Sequence, residues 1–120
     1  MRADMADRRV AVFVSHGDGT TLRLAGSCAL AAAAAGERVD VFLFGPAVPA
    51  VVAADGADRD EPGALLHEAR RAGSCRLVAC SASVVAERVD PAAADRTLDA
   101  VVGWPTVLEW SRGVVDRFYF

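Results

Sequence analysis

Five short apolar runs divide the chain, and turn-forming residues follow most of them. Residues 10–14 (Val-Ala-Val-Phe-Val) are continuously apolar, the pattern of a strand covered on both faces. The run gives way to Ser15-His16-Gly17-Asp18-Gly19-Thr20, a loop of turn formers. Thr20 or Thr21 is placed to cap a helix through Leu22, Leu24, Ala25, Cys28 and Ala29 to Ala35. Gly36 supplies its stop. Residues 39–44 form the second strand, closed by Gly45-Pro46, and residues 48–54 make one or two helical turns. The most polar stretch, 55–63, is expected to be a mobile loop.

A helix over 64–72 follows, with Leu65, Leu66 and Ala69 on one face and Gly73 as its stop. Residues 75–80 are the third strand. Helical pieces are expected near 82–88 and from Pro91 to Leu98, proline being tolerated in a first turn. Ala100-Val101-Val102-Gly103 is short enough for a fourth strand, 105–114 reads as a helix containing Trp110, and Arg117-Phe118-Tyr119-Phe120 is a fifth strand or docking tail. Strands alternating with helices imply right-handed crossovers and a mainly parallel sheet. The expected fold is α/β: a flavodoxin-like three-layer sandwich with about five strands, formed by residues 9–120 as one domain, behind a mobile N-terminus of residues 1–8.

Size and charge narrow the function. With 120 residues, 53% of them hydrophobic and 24% charged, the chain can bury a real core. A net charge of −3 and scattered cations argue against nucleic acid, which requires clustered basic side chains. All 13 side-chain cations besides histidine are arginine. No stretch approaches the roughly 20 apolar residues of a membrane span. The alanine run 31–35 lies too far from the start to be a signal peptide, so the protein is read as cytoplasmic and without a membrane partner. Cys28, Cys75 and Cys80 are then free thiols. Their spacing matches no zinc pattern, and no metal or other cofactor is expected.

Cys80 closes its strand and is followed at once by Ser81-Ala82-Ser83. In an open parallel sheet, chemistry gathers at the carboxyl ends of the strands. A thiol there, at the positive end of a helix, favours its nucleophilic thiolate form. Ser81, Ala82 and Ser83 leave room around the sulfur and offer it N–H groups and hydroxyls. The competing reading is a small apolar residue filling a strand end, because free cysteine is among the most buried residue types. His16 follows the first strand as Cys80 follows the third, and in a flavodoxin-like order those strands adjoin. Its imidazole would hold a proton for the sulfur, or it is a loop histidine bonded to Asp18.

Gly17 and Asp18 complete the candidate substrate-binding set. Their loop invites a phosphate-binding reading, but it lacks the dinucleotide and P-loop signatures and carries an acid where phosphate would sit. Cys75 should lie on the opposite face of the strand from Cys80, roughly 17 Å away, and serve packing, as should Cys28. His67, beside Glu68 and near Arg71, reads as part of a solvated helix face. Trp104, Trp110, Phe118, Tyr119 and Phe120 gather near the carboxyl end, an aromatic area suited to self-association.

Taken together these residues resemble the DsrE/DsrF-like family of small sulfur-relay proteins. The likeness rests on three stretches. The first is the opening strand, turn and alanine-rich helix from Arg9 to Gly36, with the strand into Gly45. The second is the polar loop, the helix ending Arg71-Ala72-Gly73 and the strand into Cys80. The third is the close from Val101-Val102-Gly103 to Phe120. The resemblance implies a flavodoxin-like fold, assembly as trimers or hexamers, and a sulfurtransferase-like role. In that role Cys80 carries sulfur as a persulfide between a donor protein and an acceptor protein. A non-catalytic ligand-binding or assembly module on the same fold is the alternative. The chain departs from the family pattern twice: Ser81 stands where glycine often follows the cysteine, and Glu87-Arg88 replaces the usual Arg-Gly.

Overall fold

A computed structural model describes residues 8–120. Residues 1–7, most of the segment expected to be mobile, lie outside the described residues. The chain alternates strand and helix: β1 (Arg9–Val14), α1 (Gly19–Ala34), β2 (Arg38–Leu43), α2 (Ala47–Ala53), α3 (Ala64–Arg71), β3 (Cys75–Cys80), α4 (Ser81–Ala86), α5 (Pro91–Thr97), β4 (Ala100–Val102), α6 (Trp104–Trp110) and β5 (Asp116–Tyr119). The strands form one sheet in the order β4-β3-β2-β1-β5, and every pairing is parallel. The α/β fold with a five-stranded parallel sheet is therefore as the sequence indicates. Among the described residues, no helix is long and apolar enough to cross a membrane.

The order corrects one expectation. From β1 each crossover steps one strand in the same direction, so β2 stands between β1 and β3. The only reversal places β5 on the far side of β1.

The two faces of the sheet are covered unequally. Alternation sends Val10, Val12 and Val14, Val39, Val41 and Leu43, and Cys75, Leu77 and Ala79 to one face, where they pack with residues of α1 to α5 in the main core. Gly26 lets α1 and α3 meet closely: a Cβ there would sit 2.5 Å from that of Leu65. The other face carries Ala11, Phe42 and Val78, which cluster with Val107 of α6. One seven-residue helix must protect that side.

Polar anchors hold it there. Asp40, buried on β2, accepts from Arg76 Nε at 2.8 Å and Nη2 at 3.0 Å, with Arg9 Nη2 at 3.7 Å. The Asp40 carboxylate pushes the Arg76 guanidinium pKa up, chiefly by hydrogen bonding. Arg76 in turn lies 4.2 Å above the Trp110 ring, a cation–π contact. Arg9 donates to the Trp110 and Arg112 carbonyls at the end of α6.

Helix ends follow local chemistry. Asp18, rather than Thr20 or Thr21, caps α1 by accepting from the Thr21 N–H at 3.1 Å. That contact with Thr21 lowers the Asp18 pKa. After α1, Gly36 takes φ +87°, and the Glu37 N–H reaches back to the Ala32 carbonyl, a Schellman closure. The same closure follows α4, where the Val89 N–H bonds the Val84 carbonyl at 3.0 Å. Here the left-handed residue is Arg88, with φ +55°, the only positive-φ non-glycine among the described residues. Arg88 thus holds a backbone conformation that favours glycine.

His67 departs from its sequence reading. It is 2% exposed, and its Nε2 donates to the Val51 carbonyl at 2.7 Å. Its Nδ1 is buried, has no hydrogen-bond partner among the described residues, and lies 3.6 Å from Asp55 Oδ1. Packing of α3 against α1, close to the end of α2, turns this position inward.

Two outcomes test this account. Arg88→Gly should raise stability by about 0.5–1 kcal/mol in urea unfolding, because the strain of a left-handed side chain is relieved but backbone entropy is lost. Asp40→Ala should lower it by about 2–3 kcal/mol through uncompensated guanidinium groups, and should diminish the near-ultraviolet dichroism of Trp110.

Candidate functional site

β3 delivers Cys80 to the carboxyl edge of the sheet, paired in register with Val102 of β4. Its backbone is extended, with φ −72° and ψ 124°, and α4 begins at the next residue. Cys80 is thus the N-cap of α4, although its side chain makes no capping bond. First-turn N–H groups of a helix have no intrahelical acceptors, so those of Ser81, Ala82 and Ser83 gather beside the sulfur's residue. Opposite Ser81 stands Gly103, where a Cβ would come 3.8 Å from Ser81 Oγ.

Exposure differs from expectation. Cys80 retains 4% of its surface, so the thiol is buried rather than open to solvent. It nevertheless belongs to neither apolar cluster, whereas Cys75 is part of the main core. The two cysteines fall on opposite faces by strand alternation, as their spacing predicts. Burial, with the charges of Asp99 and Asp40 behind it, pushes the Cys75 thiol up to about 12. Burial also raises the Cys28 pKa.

The Ser83 Oγ accepts from the Gly45 N–H at 2.8 Å. That bond identifies a residue whose role the sequence did not reveal. Gly45 has φ +53°, and a Cβ there would lie 3.7 Å from the Ser15 carbonyl oxygen. Next to it, a Cβ on Gly17 would come within 2.6 Å of the Pro46 carbonyl oxygen. The β2 exit turn therefore wedges between the β1 exit loop and α4. Its only sequence signal is the Gly-Pro pair that closes the strand.

The remaining candidates are dispersed. His16 is exposed, and its Nδ1 lies 3.3 Å from Ser15 Oγ, not on Asp18. With β2 intervening, the strands of His16 and Cys80 are separated by two sheet spacings, about 10 Å, so the expected adjacency is absent. Gly17 lines a hollow of about 650 Å³ with Gly19, α2 residues and the 56–63 loop, including Asp58 and Glu61. Cys80 and Ser81–Ser83 do not line it. Asp18 is occupied in capping α1. Among the described residues, no group of three or more His, Cys, Asp or Glu side chains is placed to hold a metal ion.

A sequence profile of the DsrE/DsrF-like family matches residues 8–110. The chain belongs to that family. No curated protein matches the sequence. Among solved structures, the YchN protein of E. coli aligns with a TM-score of 0.66 at 15% identity, covering 94% of this chain and 99% of that one. A conserved protein of unknown function from Bacteroides thetaiotaomicron, BT1422, aligns with a TM-score of 0.74 at 14% identity, over 99% and 100% of the two chains. Both are likenesses of fold.

The raised thiols predict a pH dependence. An unfolded cysteine ionises near about 8.5, while folded Cys75 holds its proton to about 12. Between those values the unfolded chain binds fewer protons, so stability falls as pH rises through that window. Cys28 acts in the same direction, and no lysine is present to obscure it. Urea midpoints should drop as pH rises above about 8.5, and Cys75→Ala should reduce that drop.

Proposed function

We propose that this DsrE/DsrF-like protein carries sulfane sulfur on Cys80 and relays it between partner proteins. The observation that carries the reading is the position of Cys80: end of a central strand, start of a helix, outside both apolar clusters. In the loading step the Cys80 thiolate attacks the outer sulfur of a donor persulfide. The donor's S–S bond breaks, its thiolate leaves, and Cys80 holds the persulfide. In the unloading step an acceptor thiolate attacks that outer sulfur and Cys80 returns to thiolate, so no outside oxidant or reductant is required. The first-turn N–H groups of α4 lie on the residues that directly follow Cys80. His16 stands too far away in the sheet order to serve as direct proton holder, and the proposal does not use it.

At 4% exposure, the sulfur exchanges only when the structure around it opens. Self-association belongs to the same reading. β5 is an edge strand with all four residues exposed, and an uncovered strand edge invites pairing with another chain. The burial of Cys80 also favours a second reading, a non-catalytic assembly module in which the thiol only packs.

Native mass spectrometry after treatment with glutathione persulfide separates them. The relay requires a gain of one sulfur atom by wild type and by Cys75→Ser, with none on Cys80→Ser, within oligomeric species. Oligomers that gain no sulfur, or equal labelling of wild type and Cys80→Ser, would falsify the relay and leave the assembly module.

A further inference from the structure

The thinly covered face of the sheet carries a groove of about 430 Å³ between α6 and the β1–β5 edge. Its walls include Phe13 and Tyr119 from the strands and Trp104 and Leu108 from the helix, and Arg112 and Arg117 also line it. We propose that this groove binds a flat aromatic anion: an aromatic ring system bearing a phosphate or carboxylate.

The ring geometry supports the aromatic half. Tyr119 stacks on Phe13 at 4.9 Å between centroids with an interplanar angle of 11°. Phe13 lies 6.4 Å from Phe44, and Phe44 stacks on Trp104 at 4.9 Å and 21°. The terminal rings of this series, Tyr119 and Trp104, are 71% and 54% exposed. Both rings are exposed and border the groove, and offset or edge-on contact with such rings is favourable to an aromatic ligand. The rings are pre-positioned, so a ligand need not order them.

The arginines supply the other half. Arg117 Nη2 donates to the Ser111 carbonyl at 3.1 Å, which steadies a guanidinium with further N–H groups to offer. Arg112 has only a marginal, exposed partner, Glu109 at 4.0 Å. No carboxylate is among the lining residues, although the whole chain carries a net charge of −3. Arginine forks match planar carboxylate and phosphate oxygens. The groove falls within the roughly 300–1,000 Å³ typical of small-molecule sites. A second copy placed on this groove about a two-fold axis would instead bring like charges together.

Titration calorimetry on the full chain tests the assignment with AMP and 2-naphthoate, using adenosine and inorganic phosphate as the separated halves. At least one of the two aromatic anions should bind. Adenosine, phosphate, and the Arg117→Gln and Tyr119→Ser variants should each weaken binding about tenfold or more, and added salt should weaken it further. Both substituted side chains are exposed, and thermal melts verify that the variants fold. Binding of AMP alone assigns a nucleotide-type ligand, and binding of naphthoate alone an aromatic carboxylate. The proposal fails if neither anion binds at millimolar concentration, or if both variants bind as wild type does. It fails equally if wild type takes up no probe while sedimentation shows Tyr119→Ser dissolving an oligomer, since the groove is then a contact between copies.

Discussion

Asp40 is the acceptor around which the thin side of the molecule is organised. Five helices contribute to the core on one face of the sheet, and a single helix of two turns shields the other. Such a short helix is not stable through its own hydrogen bonds. Its apolar contribution to that cluster is Val107 and part of Trp110. Asp40 makes up the difference by fixing Arg76 as a platform for Trp110, while Arg9 ties the end of α6 to the base of β1. The carboxylate is almost buried, so its value depends on being fully paired. A half-satisfied arrangement would be worse than an apolar one. The groove and its arginines exist only because α6 is held in this way.

At the opposite edge, the β2 exit turn does comparable work through shape. Gly17, Gly45 and Pro46 bring two loop backbones together with no side chain between them. Ser83 then hooks α4 onto that turn. The position of Cys80 thus depends on glycines one and two strands away. Sulfur chemistry at Cys80 would draw on that rigidity, because a helix start can favour an anion only if it stays in place.

Much of the architecture was legible in sequence. The apolar runs marked all five strands to within a residue or two, and Gly36 and Gly73 marked helix stops that adopt positive φ. Cys75 and Cys80 fell on opposite faces because strand periodicity leaves no choice. Strand order was not legible, since alternation of elements is the same whichever way each crossover steps. The pairing of His16 with Cys80 failed for that reason. His67 was misread because its charged neighbours suggested solvent, while tertiary packing turned its ring toward Val51. The burial of Cys80 was missed because a strand end signals an opening only where nothing packs over it. Asp40 and Gly45 left almost no local signal: their importance comes from residues distant in sequence.

The reversal in strand order has a consequence for how the chain folds. β2, β3 and β4 each dock beside the strand before them in sequence, whereas β5 must travel back to β1, pairing Asp116 with Val10. On a ribosome, the nascent sheet would therefore present the flank of β1 as a bare ledge until β5 had emerged. Contacts of such long sequence separation form slowly, and a late-closing ledge is where a chaperone or a neighbouring nascent chain would compete with the native strand.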